Sequence, residues 1–126
     1  MRNFFLTAVL LLVACAGEVP RSPTTFSSNV HPDRVLRIDS AIVLNAASGY
    51  SSTMPAKSQW IYVGAVPEGD VFKIRNDVFT VTGRHIHEAF VVVNGGSAVG
   101  FYLPVEKAFS PLAQNVRLPV QNKEDK

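Results

Sequence analysis

The chain contains one cysteine in 126 residues, Cys15. It can form no internal disulfide, so whatever fold it adopts is held by packing and hydrogen bonding alone. Charge of one sign is also missing. Twelve Lys and Arg face 10 Asp and Glu, without the clustered basic face that marks a nucleic-acid binder, so no nucleic-acid partner is expected. No apolar run approaches the ~20 residues of a membrane-crossing helix; the stretch from Phe4 to Val13, broken by Thr7, ends too soon. There is no Gly-x-Ser-x-Gly elbow, and Asn94-Gly95-Gly96 lacks the lysine and following helix of a phosphate loop. No internal repeat is present. What remains is room for one domain without an evident catalytic constellation.

What is present begins with an address. Arg2 supplies a positive charge ahead of the Phe4 to Val13 run, the pattern of a secretory signal rather than of a span. Leu12-Val13-Ala14-Cys15 follows, then Ala16 and Gly17. An apolar residue, a small or apolar residue and Ala directly before Cys resemble the lipobox of bacterial lipoproteins, a likeness confined to roughly the first 15 residues. The resemblance implies cleavage before Cys15, diacylglycerol on its thiol and an N-acyl chain on its amino group, with no other cofactor. Acylation has its own logic: at ~0.8 kcal/mol per buried methylene one chain holds a protein marginally, whereas two or three anchor it. With Ala16 rather than Asp after the cysteine, the same resemblance implies, in a two-membrane bacterium, the outer membrane, lipid-anchored, on the periplasmic face; in an organism with a single membrane it implies the outer face of the cell membrane.

These features divide the chain into a signal peptide at 1–14, a lipidated flexible tether at 15–31, a single β-rich domain at 32–120 and a polar tail at 121–126. The tether carries Pro20, Pro23 and several Ser and Thr residues, without the hydrophobic periodicity that ordering requires. At ~3.3 Å per residue, Gly17 to His31 reaches about 50 Å when extended.

Downstream, period-two alternation dominates. Leu36 and Ile38 alternate with Arg37 and Asp39, and Trp60-Ile61-Tyr62-Val63 is rich in strand formers. Phe72 to Arg75 and Phe79 to Thr82 read as two strands about a tight turn. Ile86 to Val93 and Ala98 to Leu103 read as a hairpin turned at Asn94-Gly95-Gly96, where tight turns demand positive φ. Ala46 to Ser58 reads as a loop, and Val116 to Val120 as a last edge strand. Pro104 opens a short helix near 104–110. The fold class expected is mainly β, a small antiparallel barrel or sandwich of five to six short strands. Its core is Ile38, Ile42, Trp60, Tyr62, Phe72, Ile74, Phe79, Val81, Phe90, Val92, Val99 and Phe101.

Two local features bear on chemistry. His85 and His87 lie two apart on a strand and so share a face about 7 Å apart, a spacing that suits one metal ion; the plainer reading is two solvated imidazoles at a strand entrance. The remaining histidine, His31, falls in the tether. Ala47-Ser48-Gly49-Tyr50 loosely resembles the small-residue loop of periplasmic lysozyme-inhibitor lipoproteins, small β-barrels that insert a loop into an enzyme. Val91 to Val93 and Val99 to Leu103 offer an edge for strand addition. The function expected is that of a non-enzymatic binding or structural module, anchored in membrane lipid through Cys15 and facing an envelope protein partner, as an accessory of a secretion or conjugation assembly would. The alternatives are a metal-binding periplasmic enzyme using His85 and His87, or an inhibitor of a cell-wall hydrolase.

Overall fold

Burial alternates with period two over residues 59–66, 80–82 and 108–113, the pattern of a strand with one face in the core. The computed structural model describes residues 21–47, 49 and 51–119, and contains no helix among them. Eleven strands are present among the described residues: β1 (Ser22–Pro23), β2 (Ser27–Arg37), β3 (Ile42–Asn45), β4 (Ser51–Met54), β5 (Gln59–Val66), β6 (Gly69–Ile74), β7 (Thr80–Thr82), β8 (Ile86–Glu88), β9 (Phe90–Asn94), β10 (Ser97–Leu103) and β11 (Ala108–Arg117). Seven of them form one antiparallel sheet in the order β1-β11-β10-β9-β6-β5-β2, while β3–β4 and β7–β8 are separate hairpins. The β9–β10 hairpin is as expected: Asn94 pairs with Ser97, and Gly95 and Gly96 take φ of 62° and 83°. Only glycine adopts two such angles in succession at little cost.

Connectivity forces the sheet to curl. β1 and β2 occupy opposite ends of the seven-strand order, yet only Thr24, Thr25 and Phe26 join them. Laid flat, six strand spacings of ~4.8 Å would part these edges by about 29 Å. Four virtual bonds of ~3.8 Å reach about 15 Å at most. The sheet therefore bends until its edges nearly meet, and the link crosses the gap. Thr24 records the closure: its N–H donates to the Lys107 carbonyl at 3.2 Å and its hydroxyl to Glu68 Oε1 at 3.0 Å. The edges are not paired with each other among the described residues, so the sheet is not the closed barrel expected, and eleven strands, not five to six, make up the seven-stranded sheet and two small hairpins.

Two apolar clusters result. The larger lies between one face of the sheet and the two hairpins; Trp60, Phe101, Ile38, Leu44, Met54, Leu103, Val81 and Val91 are fully buried there. The ring of Trp60 meets Phe79 edge-on at 5.0 Å, the aromatic geometry favoured beyond simple burial. The smaller cluster lies inside the curl, where Val66, Val71, Val92 and Tyr102 are packed by Phe26, Val63, Phe90, Val99 and Phe109. Phe26 stacks on Tyr102 at 4.9 Å. Gly64 makes room for it, since a Cβ there would stand 2.8 Å from the Phe26 ring and collide with the Ser27 carbonyl.

Several expectations are corrected. The helix near 104–110 is absent: Pro104 to Lys107 is a turn, Lys107 sits at φ 56°, and β11 follows. A left-handed residue ends helical propagation, and from Ala108 burial alternates as a strand. Residues 22–23 and 27–31, read as tether, are strand, because β11 and β5 offer them ladder partners. Phe72 to Arg75 and Phe79 to Thr82 do not pair; β6 lies between β5 and β9, and β7 pairs with β8. The loop at 46–58 contains β4, and Ile86 to Val93 is broken at Ala89 into β8 and β9. β9 and β10 are interior strands with neighbours on both sides, so they offer no edge for strand addition. Val120 and the tail at 121–126 lie outside the described residues, as do the signal and residues 15–20.

Candidate functional site

Cys15 and the preceding Leu12, Val13 and Ala14 also lie outside the described residues. The other singled-out residues are placed. His31 is exposed on β2, its ring tilted over Tyr62 at 5.8 Å. His85 lies in the bend before β8 and His87 within it, with ring centroids 6.5 Å apart and nearly perpendicular. They are not alike. His85 is exposed, while His87 is only 7% exposed, which overturns the picture of two solvated imidazoles.

The burial of His87 follows from register. It sits opposite Val81, a core residue, so alternation turns both side chains inward. A polar ring in such a place needs a partner, and the β10–β11 turn supplies one. Glu106 Oε2 lies 2.8 Å from His87 Nδ1. An ionised carboxylate only accepts, so Nδ1–H is the donor and the imidazole is fixed in orientation. His87 Nε2 and Glu106 Oε1 are both shielded from solvent and without a hydrogen-bond partner.

A carboxylate behind an imidazole is the orienting half of an acid–base machine. Here the outward half is shut away, because Nε2 has no contact with solvent through which a substrate proton would pass. The arrangement instead ties the β7–β8 hairpin to the β10–β11 turn across 19 residues of chain. As a metal pair, His85 and His87 gather no third ligand: no group of three His, Cys, Asp or Glu side chains stands together among the described residues.

A second polar cluster was not anticipated. Arg34 on β2 lays its guanidinium 4.1 Å above the Tyr62 ring and 5.7 Å from Phe72, and bonds Asp70 Oδ2 at 3.0 Å. Cation–π stacking of this kind holds an edge strand down. The contact spans 36 residues, with no local sequence signal to announce it. In the loop after β3, Ala47 N–H donates to the Pro111 carbonyl at 3.1 Å and Gly49 N–H to Ala46 O at 2.9 Å, while Ser48 and Tyr50 lie outside the described residues. No protein family, characterised protein or solved structure matches this chain.

Proposed function

We propose that the chain is a lipid-anchored envelope protein: a β module held through acylated Cys15 at the periplasmic face of the outer membrane, acting by binding rather than by catalysis. The observation that carries this reading is the lone cysteine standing directly after Leu12-Val13-Ala14, where the apolar run from Phe4 ends. Two acyl chains or more at that position give stable anchorage. The buried ring of His87, with its free nitrogen shielded from solvent, supports a structural use of the histidine–carboxylate pair. The partner is an envelope protein, and an accessory role in a secretion or conjugation assembly fits a small tethered module.

Cys15→Ser tests the anchor. The variant should accumulate as a precursor heavier by residues 1–14, take up no radioactive palmitate and leave the membrane pellet on carbonate washing only insofar as its uncleaved signal lets it. Normal processing to a soluble product would refute the lipid-anchored reading. Intact mass of the wild-type protein reads the same question directly, through the presence or absence of acyl mass on a peptide beginning at Cys15. Crosslinking in whole cells, with enrichment over a lipidated control domain, then tests for the protein partner.

A further inference from the structure

Among the described residues, the two most exposed large hydrophobic side chains are Val105, at 78%, and Ile86, at 71%. They belong to neighbouring segments. Ile86 opens β8 and Val105 lies in the β10–β11 turn, and the residue after each, His87 and Glu106, meets the other at 2.8 Å. The contact fixes both segments at one end of the molecule, with alternation turning Ile86 outward as His87 turns inward.

The chain enters beside this same turn. Ser22 pairs with Phe109, Pro23 with Ala108, and Thr24 N–H donates to the Lys107 carbonyl. Because β1 already belongs to the sheet, the link from Cys15 is not the ~50 Å expected of an extended 15-residue tether. It spans seven residues and reaches at most about 23–25 Å. A cysteine acylated in the headgroup layer therefore cannot let the β10–β11 turn stray far from the bilayer.

We propose that the end of the domain carrying Ile86 and Val105 rests on the surface of the bilayer that holds the lipid, with both side chains entering the headgroup region. The inference rests on the lipid-anchored reading above. A bilayer suits the patch better than a protein partner does. Protein interfaces bury roughly 800 Å² a side around aromatic and arginine anchors in pockets, whereas this end offers two separate aliphatic side chains. Aliphatic side chains entering the interface need no pocket. Charge is of mixed sign here, the exposed Arg21, Arg84 and Lys107 standing with the half-buried Glu68 and Glu88 while Glu106 is held by His87, so the two aliphatic side chains carry the contact. The contact should therefore tolerate salt.

The full chain, purified from bacterial membranes, is used as Ile86→Cys, Val105→Cys and Arg117→Cys, each labelled at the new thiol with an environment-sensitive fluorophore. Each is reconstituted into vesicles of phosphatidylethanolamine and phosphatidylglycerol. Arg117 ends β11, the strand that leads away from the turn, and serves as the distant position. The expected result is a blue-shifted emission at 86 and 105, with several-fold stronger quenching by nitroxide-bearing lipid than at 117, unchanged in high salt. Trp60 emission confirms that each variant is folded. Aqueous emission at 86 and 105 in protein whose mass shows acylated Cys15 would overturn the docking alone, as would stronger quenching at 117. Protein without acyl mass would overturn the anchor and the docking with it.

Discussion

Phe26→Ala tests whether the three-residue link is what keeps the sheet curled. The Phe26 ring stacks on Tyr102 of β10, lies over Gly64 of β5, and so touches strands far apart in the sheet order. Truncating a fully buried Phe costs about 3–5 kcal/mol. Phe26 is half-buried, which scales that to about 2 kcal/mol, and loss of the stacked pair adds about 0.5–1.5 kcal/mol. The expected destabilisation is therefore about 2.5–3.5 kcal/mol, or roughly 10–20 °C in Tm for a domain of this size. The assay is equilibrium urea unfolding followed by emission of Trp60, the single tryptophan, which is fully buried in the other cluster and so reports loss of the whole fold. An unchanged urea slope with a lower midpoint would mark lost stability rather than a changed native surface. A loss below about 0.5 kcal/mol, the size seen for surface substitutions, would refute the idea that the link spans the gap as a structural strap.

Three further outcomes follow from the same packing. Gly64→Ala should cost at least as much as Phe26→Ala in urea unfolding, since the added Cβ meets both the Phe26 ring and the Ser27 carbonyl backbone, which cannot move aside cheaply. Glu106→Leu or His87→Phe alone should destabilise by about 1–3 kcal/mol by leaving a buried polar partner unpaired, and the double variant should recover part of that loss, read as a double-mutant cycle. Burial by desolvation raises the Tyr102 phenol above its ordinary value of 10.0, so the folded state favours the neutral ring. The stability tied to it is fully present below pH 10 and is lost as pH rises through the higher folded-state value. Tyr102→Phe should accordingly flatten the alkaline limb of the stability–pH profile measured by Trp60 emission.

Local alternation made the strands legible wherever one face was buried and the other wet. Trp60, Tyr62, Phe72, Ile74, Phe79, Val81 and Phe101 were all expected in the core and all pack in the larger cluster. Phe90, Val92 and Val99 were expected there too, but they line the inside of the curl. The sequence offers no local signal for two apolar clusters, because both faces of β9 and β10 are apolar and period two cannot say which face meets which cluster. The hairpin turn at Gly95-Gly96 was readable because its chemistry is local. The pairing of β6 with β9, across an intervening β7–β8 hairpin, was not, since non-local register leaves no mark on neighbouring residues.

The helix expected near 104–110 shows how a local cue loses to a ladder. Pro104 is acceptable at a first helical position, and Val105, Glu106 and Lys107 continue without a breaker. Yet Lys107 turns left-handed and donates its N–H to Leu103, closing one turn and delivering Ala108 opposite Leu103 on β10. Tertiary pairing along β11, ten residues long, outweighs the propensity of four. The same turn places Glu106 against His87, so the carboxylate that explains the buried histidine comes from a segment whose local cues favour a helix. A sequence reader sees His85 and His87 as equals two residues apart. What separates them is 19 residues downstream of His87, in a segment whose local sequence favours a different element.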